Sequence, residues 1–157
     1  MDDYIKSIRE FLGNTEISIP GTRAVIINGD NKILLEERSD FKLWGLPGGS
    51  ADPGEDIVQT IQREVLEETG LTILNPIPFG FSSSPIIERI TFPNGDKLHS
   101  FNLLFYVNNY SGDIKISEES IRIDWFDFDN LPPMLINMEK TVMAFLKFSE
   151  TNEFQIL

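Results

Sequence analysis

Residues 44–71, WGLPGGSADPGEDIVQTIQREVLEETGL, constrain the fold more than any other stretch of the chain. A Gly-rich turn comes first, then an acidic amphipathic segment, then a glycine stop. Ile57, Val58, Ile61 and Val65 recur at helical spacing and predict one buried stripe. Glu64, Glu67 and Glu68 stand at i, i+3 and i+4, so they project from one side of the same helix. That side borders the apolar stripe, which places the carboxylates at the rim of the core. Like charges this close repel by roughly 0.2–0.5 kcal/mol per pair on an open helix surface, and more when partly buried. A hard divalent cation relieves that repulsion, and Mg²⁺ prefers oxygen ligands of this kind. Taken alone, however, an acidic helix face is ordinarily just solvated.

The wider spacing favours the metal-binding reading. Gly49 is followed after five residues by Glu55, after seven more by Arg63-Glu64-Val65, then by Glu67-Glu68 and Gly70-Leu71. This resembles the Nudix box, G-x5-E-x7-R-E-U-x-E-E-x-G-U, with U apolar, at every fixed position. Chance agreement at ordinary residue usage is on the order of 10⁻⁸ per start position. Pro20-Gly21, Arg38-Ser39-Asp40, Pro93-Asn94-Gly95-Asp96 and Trp125-Phe126 before Leu131-Pro132 are similar to a bacterial MutT-type subgroup. That wider likeness covers about residues 4–133. Asp52 departs from the Glu that many members carry there, outside the fixed motif.

Length and charge set outer bounds. The 157 residues suit a single domain spanning 1–157 with a substantial core. There are no cysteines, which excludes disulfides, thiolate metal sites and a Cys nucleophile, and fits a cytoplasmic protein. One histidine, His99, cannot build a His-rich zinc site and reads as a solvent-facing strand residue. The acidic start lacks a signal-peptide pattern, and no apolar run reaches the roughly 20 residues that span a bilayer. A formal net charge of −12 disfavours nucleic-acid polymers and anionic membranes. It leaves room for a small phosphorylated substrate that arrives with metal.

The rest of the chain reads as strands between two terminal helices. Residues 2–12 predict a short amphipathic helix with Tyr4, Ile5, Ile8, Phe11 and Leu12 on one face, suited to packing on the domain or to a homodimer. Pro20-Gly21 predicts a turn, and residues 23–27 and 32–37 a hairpin around Asn28-Gly29-Asp30-Asn31. Further strands are expected over 71–74, 79–81, 86–92, 98–107 and 121–126, with a turn at 93–96 and a closing helix over 138–148. This pattern is α+β with a mixed sheet. The Nudix resemblance implies an α/β/α sandwich with the box as a loop–helix–loop.

The resemblance also implies a chemistry: Mg²⁺-dependent attack of water on phosphorus, cleaving the phosphoanhydride of a nucleoside diphosphate linked to another moiety. That moiety makes the substrate a nucleoside triphosphate, ADP-ribose or a nucleotide sugar, and Mn²⁺ can substitute for Mg²⁺. It assigns Glu64, Glu67 and Glu68 as metal ligands, with the backbone carbonyl of Gly48. Arg63 and Glu55 take the supporting role, favoured over an ordinary helix ion pair between Arg63 and Glu67 because a planar guanidinium suits forked carboxylate contacts. Glu118 and Glu119 are candidates for a distant catalytic glutamate; solvated loop acids are the commoner fate. Arg38 and Arg23 are candidate phosphate contacts. Phe41 and Phe81 are candidate stacking surfaces, whereas Trp44 and Phe105 suit the core better. There is no P-loop and no G-x-S-x-G elbow. The alternative to an enzyme is a Nudix module that binds a nucleotide metabolite without cleaving it.

Overall fold

The computed structural model describes residues 3–157. The first residue of the helix expected over 2–12 therefore lies outside the described residues. In chain order the elements are α1 (Asp3–Leu12), β1 (Ile17–Ile26), β2 (Ile33–Arg38), β3 (Trp44–Gly45), α2 (Ile57–Thr69), β4 (Thr72–Ile73), β5 (Ile77–Ser82), α3 (Pro85–Glu88), β6 (Arg89–Thr91), β7 (Lys97–Val107), β8 (Tyr110–Ser111), β9 (Ser120–Phe126), α4 (Ile136–Thr151) and β10 (Gln155–Ile156). The main sheet runs β1-β7-β5-β10, with β6 also on β7; β3-β2-β9 and β4-β8 form two smaller sheets. β1 lies parallel to β7, and β5 antiparallel to it, so the sheet is mixed as expected.

Strand periodicity builds the layers. Along β1, Ala24 and Ile26 pack with Ile61 and Val65 of α2, whereas Val25 packs with Val142 and Phe145 of α4. One helix thus covers each face, which is the sandwich the resemblance implies. Fully burying an aliphatic side chain such as Ile61 stabilises by roughly 1.5–3 kcal/mol. Among the described residues no helix is long and apolar enough to cross a membrane.

Several local expectations are corrected. Pro20 and Gly21 lie inside β1 rather than in a turn. A Cβ on Gly21 would meet the Asn102 side chain at 2.6 Å, so close approach of β7 explains the glycine. The turn at 28–31 forms, but β2 leaves β1 after a single Ile27–Ile33 bridge and pairs with β3 and β9. The strand expected over 86–92 begins as the helical turn α3, with Pro85 at its start. Val58 is exposed, and Glu64 and Glu68 take places on the buried side of α2 instead. Among the described side chains of α1 only Ile5 is buried, while Phe11 is 88% exposed.

Candidate active site

Local chemistry fixes both ends of α2. Asp56 accepts from the N–H groups of Val58 and Gln59, and Gln59 accepts from the Asp56 N–H in return. At the other end Gly70 adopts the left-handed conformation, φ 77°, that a glycine tolerates without strain. The helix is thus held in register against the Gly48-Gly49 turn. Gly48 has φ 150°, and a Cβ there would run into the Thr22 carbonyl. Its N–H donates to Glu68 Oε2 at 2.8 Å. Gly49 sits against the Glu64 carboxylate so tightly that a Cβ has no space.

Arg63 ties the turn to the helix. Its Nε and Nη2 donate to the two oxygens of Glu55 at 2.7 and 3.0 Å, and Nη2 also donates to the Ser50 carbonyl at 2.9 Å. Nη1 donates to Glu64 at 2.9 Å and to Glu67 at 3.2 Å. Glu55 also accepts from the Asp52 N–H and the Thr60 hydroxyl. The Arg63 hydrogen bond above all holds the Glu55 carboxyl down at about 2. The i,i+4 contact of Arg63 with Glu67 is real, but it is one of several.

Glu64 and Glu68 are buried at the wall of a cavity of about 460 Å³, together with Gly48, Gly49 and Arg38. Burial pushes the Glu68 carboxyl well above the usual range; Glu36 and Glu64 push it further, against the pull of the Gly48 N–H and Arg38. Glu36, on β2, is 2% exposed and accepts from the Ser120 hydroxyl at 2.7 Å. Burial raises its carboxyl too, opposed by Ser120 and Arg38. Sequence reasoning missed this residue. The available signal was its strand phase: Glu36 shares the alternation of Leu34, which faces α2.

The other expected residues are placed as follows. Glu67 is largely exposed and turned to Arg63. Glu118 and Glu119 line the cavity from the loop before β9. Arg38 lines it as well, forked onto Asp40 at 3.0 and 2.8 Å. Arg23 is buried on the cavity wall and committed to Glu88. Phe41 packs on Phe92 with ring centroids 5.5 Å apart, behind the cavity lining. Phe81 stands on β5, away from that lining. Trp44 and Phe105 are core residues. His99 is half-buried rather than solvent-facing, with Nε2 2.8 Å from the Ser83 carbonyl.

The donor set fits a hard divalent cation. Its side-chain atoms are carboxyl oxygens, and the buried Glu68 lies within the electrostatic reach of both Glu36 and Glu64. Among the described residues no three acidic or histidine side chains are already gathered at metal-holding spacing.

Comparison with known proteins gives this arrangement its place. The NUDIX domain family matches residues 18–145, and the chain belongs to the Nudix hydrolase family. It is accordingly a hydrolase acting on acid anhydrides. It is similar to an ADP-ribose pyrophosphatase of Methanocaldococcus jannaschii, 32% identical over 126 residues that cover 78% of this chain and 70% of the relative. It is also similar to the nucleoside triphosphatase NudI of Escherichia coli, 30% identical over 115 residues, covering 68% and 80%. Two other relatives are matched over only 34% of their own length. Among solved structures, a MutT NUDIX hydrolase from Burkholderia pseudomallei superposes with a TM-score of 0.69 at 25% identity, covering 82% of this chain and 98% of that one.

Proposed function

We propose that residues 1–157 form one catalytic domain that uses Mg²⁺ to hydrolyse the phosphoanhydride of a nucleoside diphosphate linked to a further group. The observation that carries this reading is the pairing of Glu64 and Glu68, buried and mutually repelling, with the Gly48-Gly49 turn at one end of a cavity sized for a nucleotide. The two relatives suggest ADP-ribose and nucleoside triphosphates as the first substrates to try.

In this reading Glu64, Glu67, Glu68 and the Gly48 carbonyl hold the ion. When bound, Mg²⁺ neutralises phosphoryl charge and makes water a better nucleophile. The protein's own part is positional. Arg63, braced by Glu55 and Ser50, fixes the rotamer of Glu64 and keeps Glu67 within reach. Arg38, oriented by Asp40, offers a cation to the phosphates. Glu119, which also lines the cavity, is the proposed general base for the attacking water.

A substrate panel of ADP-ribose, nucleotide sugars, dinucleoside polyphosphates and nucleoside triphosphates, assayed with Mg²⁺, Mn²⁺ or chelator, tests the proposal. Expected is metal-dependent release of a nucleoside monophosphate from at least one member. Tight nucleotide binding without any release would point instead to the non-catalytic binding module. A melting temperature indifferent to Mg²⁺ would remove the metal site, because a ligand of the native state must stabilise it.

A further inference from the structure

β9 breaks its own alternation. Ile123 and Trp125 pack with the cluster that faces α2, so the next inward place by period two is Ile121. Ile121 is instead 48% exposed, and Ser120 is buried. The cause is a bulge. Glu37 pairs with Arg122 and Arg38 with Ser120, which leaves Ile121 as an extra residue between them. Directly paired residues of antiparallel strands share a face, and Arg38 shares the face of Glu36 two residues back. The bulge therefore turns a hydroxyl inward where the pattern offers an isoleucine. Leaving that isoleucine half in water forgoes burial free energy that a regular ladder would gain. Bulges recur beside active sites, where they re-aim a side chain.

What the bulge gains is a chain of polar contacts. Ser120 Oγ donates to Glu36 Oε2 at 2.7 Å, and both side chains are buried. A hydroxyl bonded to a carboxyl group held away from water makes a firm anchor. Ser120 Oγ also lies 3.3 Å from Ser117 Oγ. Ser117 Oγ accepts from the Glu119 N–H at 3.3 Å, and the Glu119 carbonyl accepts from the Ser39 N–H at 2.9 Å. The loop that brings Glu118 and Glu119 to the cavity is thus tied at its base to β2. Glu36 itself stands behind the cavity lining rather than in it.

We propose that Glu36 is a positioning residue for the reaction: through Ser120, and by way of Ser117, it sets the backbone of residues 117–120 so that Glu119 stands at the cavity wall, and the bulge at Ile121 is the device that brings Ser120 to it. Glu36 touches neither substrate nor ion in this role. A general base must come within hydrogen-bond reach of the attacking water, so a shifted loop costs turnover rather than binding. For that kinetic consequence the assignment rests on the reading of Glu119 as the base; the loop geometry does not.

Amide hydrogen exchange on the whole chain, without substrate or metal, reads the geometry alone. The reporter is the Ser39 N–H, bonded to the Glu119 carbonyl. Glu36→Leu removes the acceptor and leaves an apolar side chain of the kind already present at Leu34 and Leu35. Ser39 is then expected to exchange roughly tenfold faster. Glu36→Gln keeps a carbonyl oxygen for Ser120 and is expected to exchange like the parent. A folded Glu36→Leu variant that exchanges at the parent rate overturns the positioning role, whether or not the chain hydrolyses anything. Should that variant fail to fold, Ser120→Ala cuts the same bond from β9 and is read in the same way. Kinetics at saturating Mg²⁺ carry the second half. Glu36→Leu and Ser120→Ala are each expected to lose about 10–100-fold in kcat with KM little changed, and Glu36→Gln to stay within about threefold of the parent. The Glu36→Leu/Ser120→Ala double variant is expected to lose no more than either single one, since both cut one bond. Glu36 also lies within the electrostatic reach of Glu68. A Glu36→Gln variant as slow as Glu36→Leu would mean that charge, not the hydrogen bond, carries the effect, and overturns the assignment.

Discussion

Arg63 grips both oxygens of Glu55, Nε to Oε1 at 2.7 Å and Nη2 to Oε2 at 3.0 Å. The planar fork is what a lysine cannot reproduce. Arg63→Lys should therefore lower kcat/KM by about 10–100-fold, as loss of a ligand-orienting partner typically does. Steady-state kinetics at saturating Mg²⁺ check this. A loss that excess metal fully restores would mean that Arg63 supports affinity alone.

The same grip makes stability depend on acid. Glu55 lies at about 2 in the folded chain against an ordinary 4.5, chiefly because Arg63 donates to it. A carboxyl depressed by folding stabilises the native state above its unfolded value, and that contribution is lost as pH falls through the folded one. Glu55→Gln should destabilise at neutral pH and flatten the stability profile between about pH 4.5 and pH 2. Urea unfolding across that window reads the slope.

Glu68 has the opposite sign. Burial, then Glu36 and Glu64, raise its carboxyl, so its charged form works against the metal-free fold as pH rises. Glu68→Gln keeps an oxygen for the Gly48 N–H and removes the charge. In chelator the variant should melt higher than the parent, by about 2–4 °C for each kcal/mol gained at this chain length. It should also lose the Mg²⁺-induced rise in Tm and at least about a hundredfold in turnover, which is about 2.7 kcal/mol. Calorimetry with and without Mg²⁺ separates the two effects.

Gly49→Ala places a methyl group against the Glu64 carboxylate. Overpacking of this kind typically costs about 1–3 kcal/mol. The expected result is a lower Tm and a larger fall in activity than the stability loss explains, since Glu64 is displaced. Equal activity per folded molecule would show that Glu64 has room to adjust.

The parts most legible in the sequence were those fixed by local chemistry. The helix bearing Glu64, Glu67 and Glu68 is set by its apolar stripe and the Gly70 stop, and the 93–96 turn by Gly95, φ 91°. What escaped was set by distant partners. Pro20-Gly21 looks like a turn until β7 pairs with it along its length. Nothing local marks Glu88 as buried; its four-residue helix and its grip on Arg23 emerge only once β1, β5 and β7 meet. Glu36 reads as the polar end of an apolar strand, and only the approach of α2 brings Glu68 within its electrostatic reach.

Arg9 of α1 donates to the carbonyls of Gly13, Thr15 and Lys97, which latches the first helix to the start of β7 beside the 93–96 turn. Ile5 of α1 joins Ile19 of β1 and Leu98 of β7 on the apolar side of the cavity, while Glu64 and Glu68 ride on α2. The apolar and the acidic sides of the cavity thus hang on separate segments of the polypeptide. A change at Ile5 therefore alters the apolar side of the cavity while the hydrogen bonds of Arg63 stay as they are.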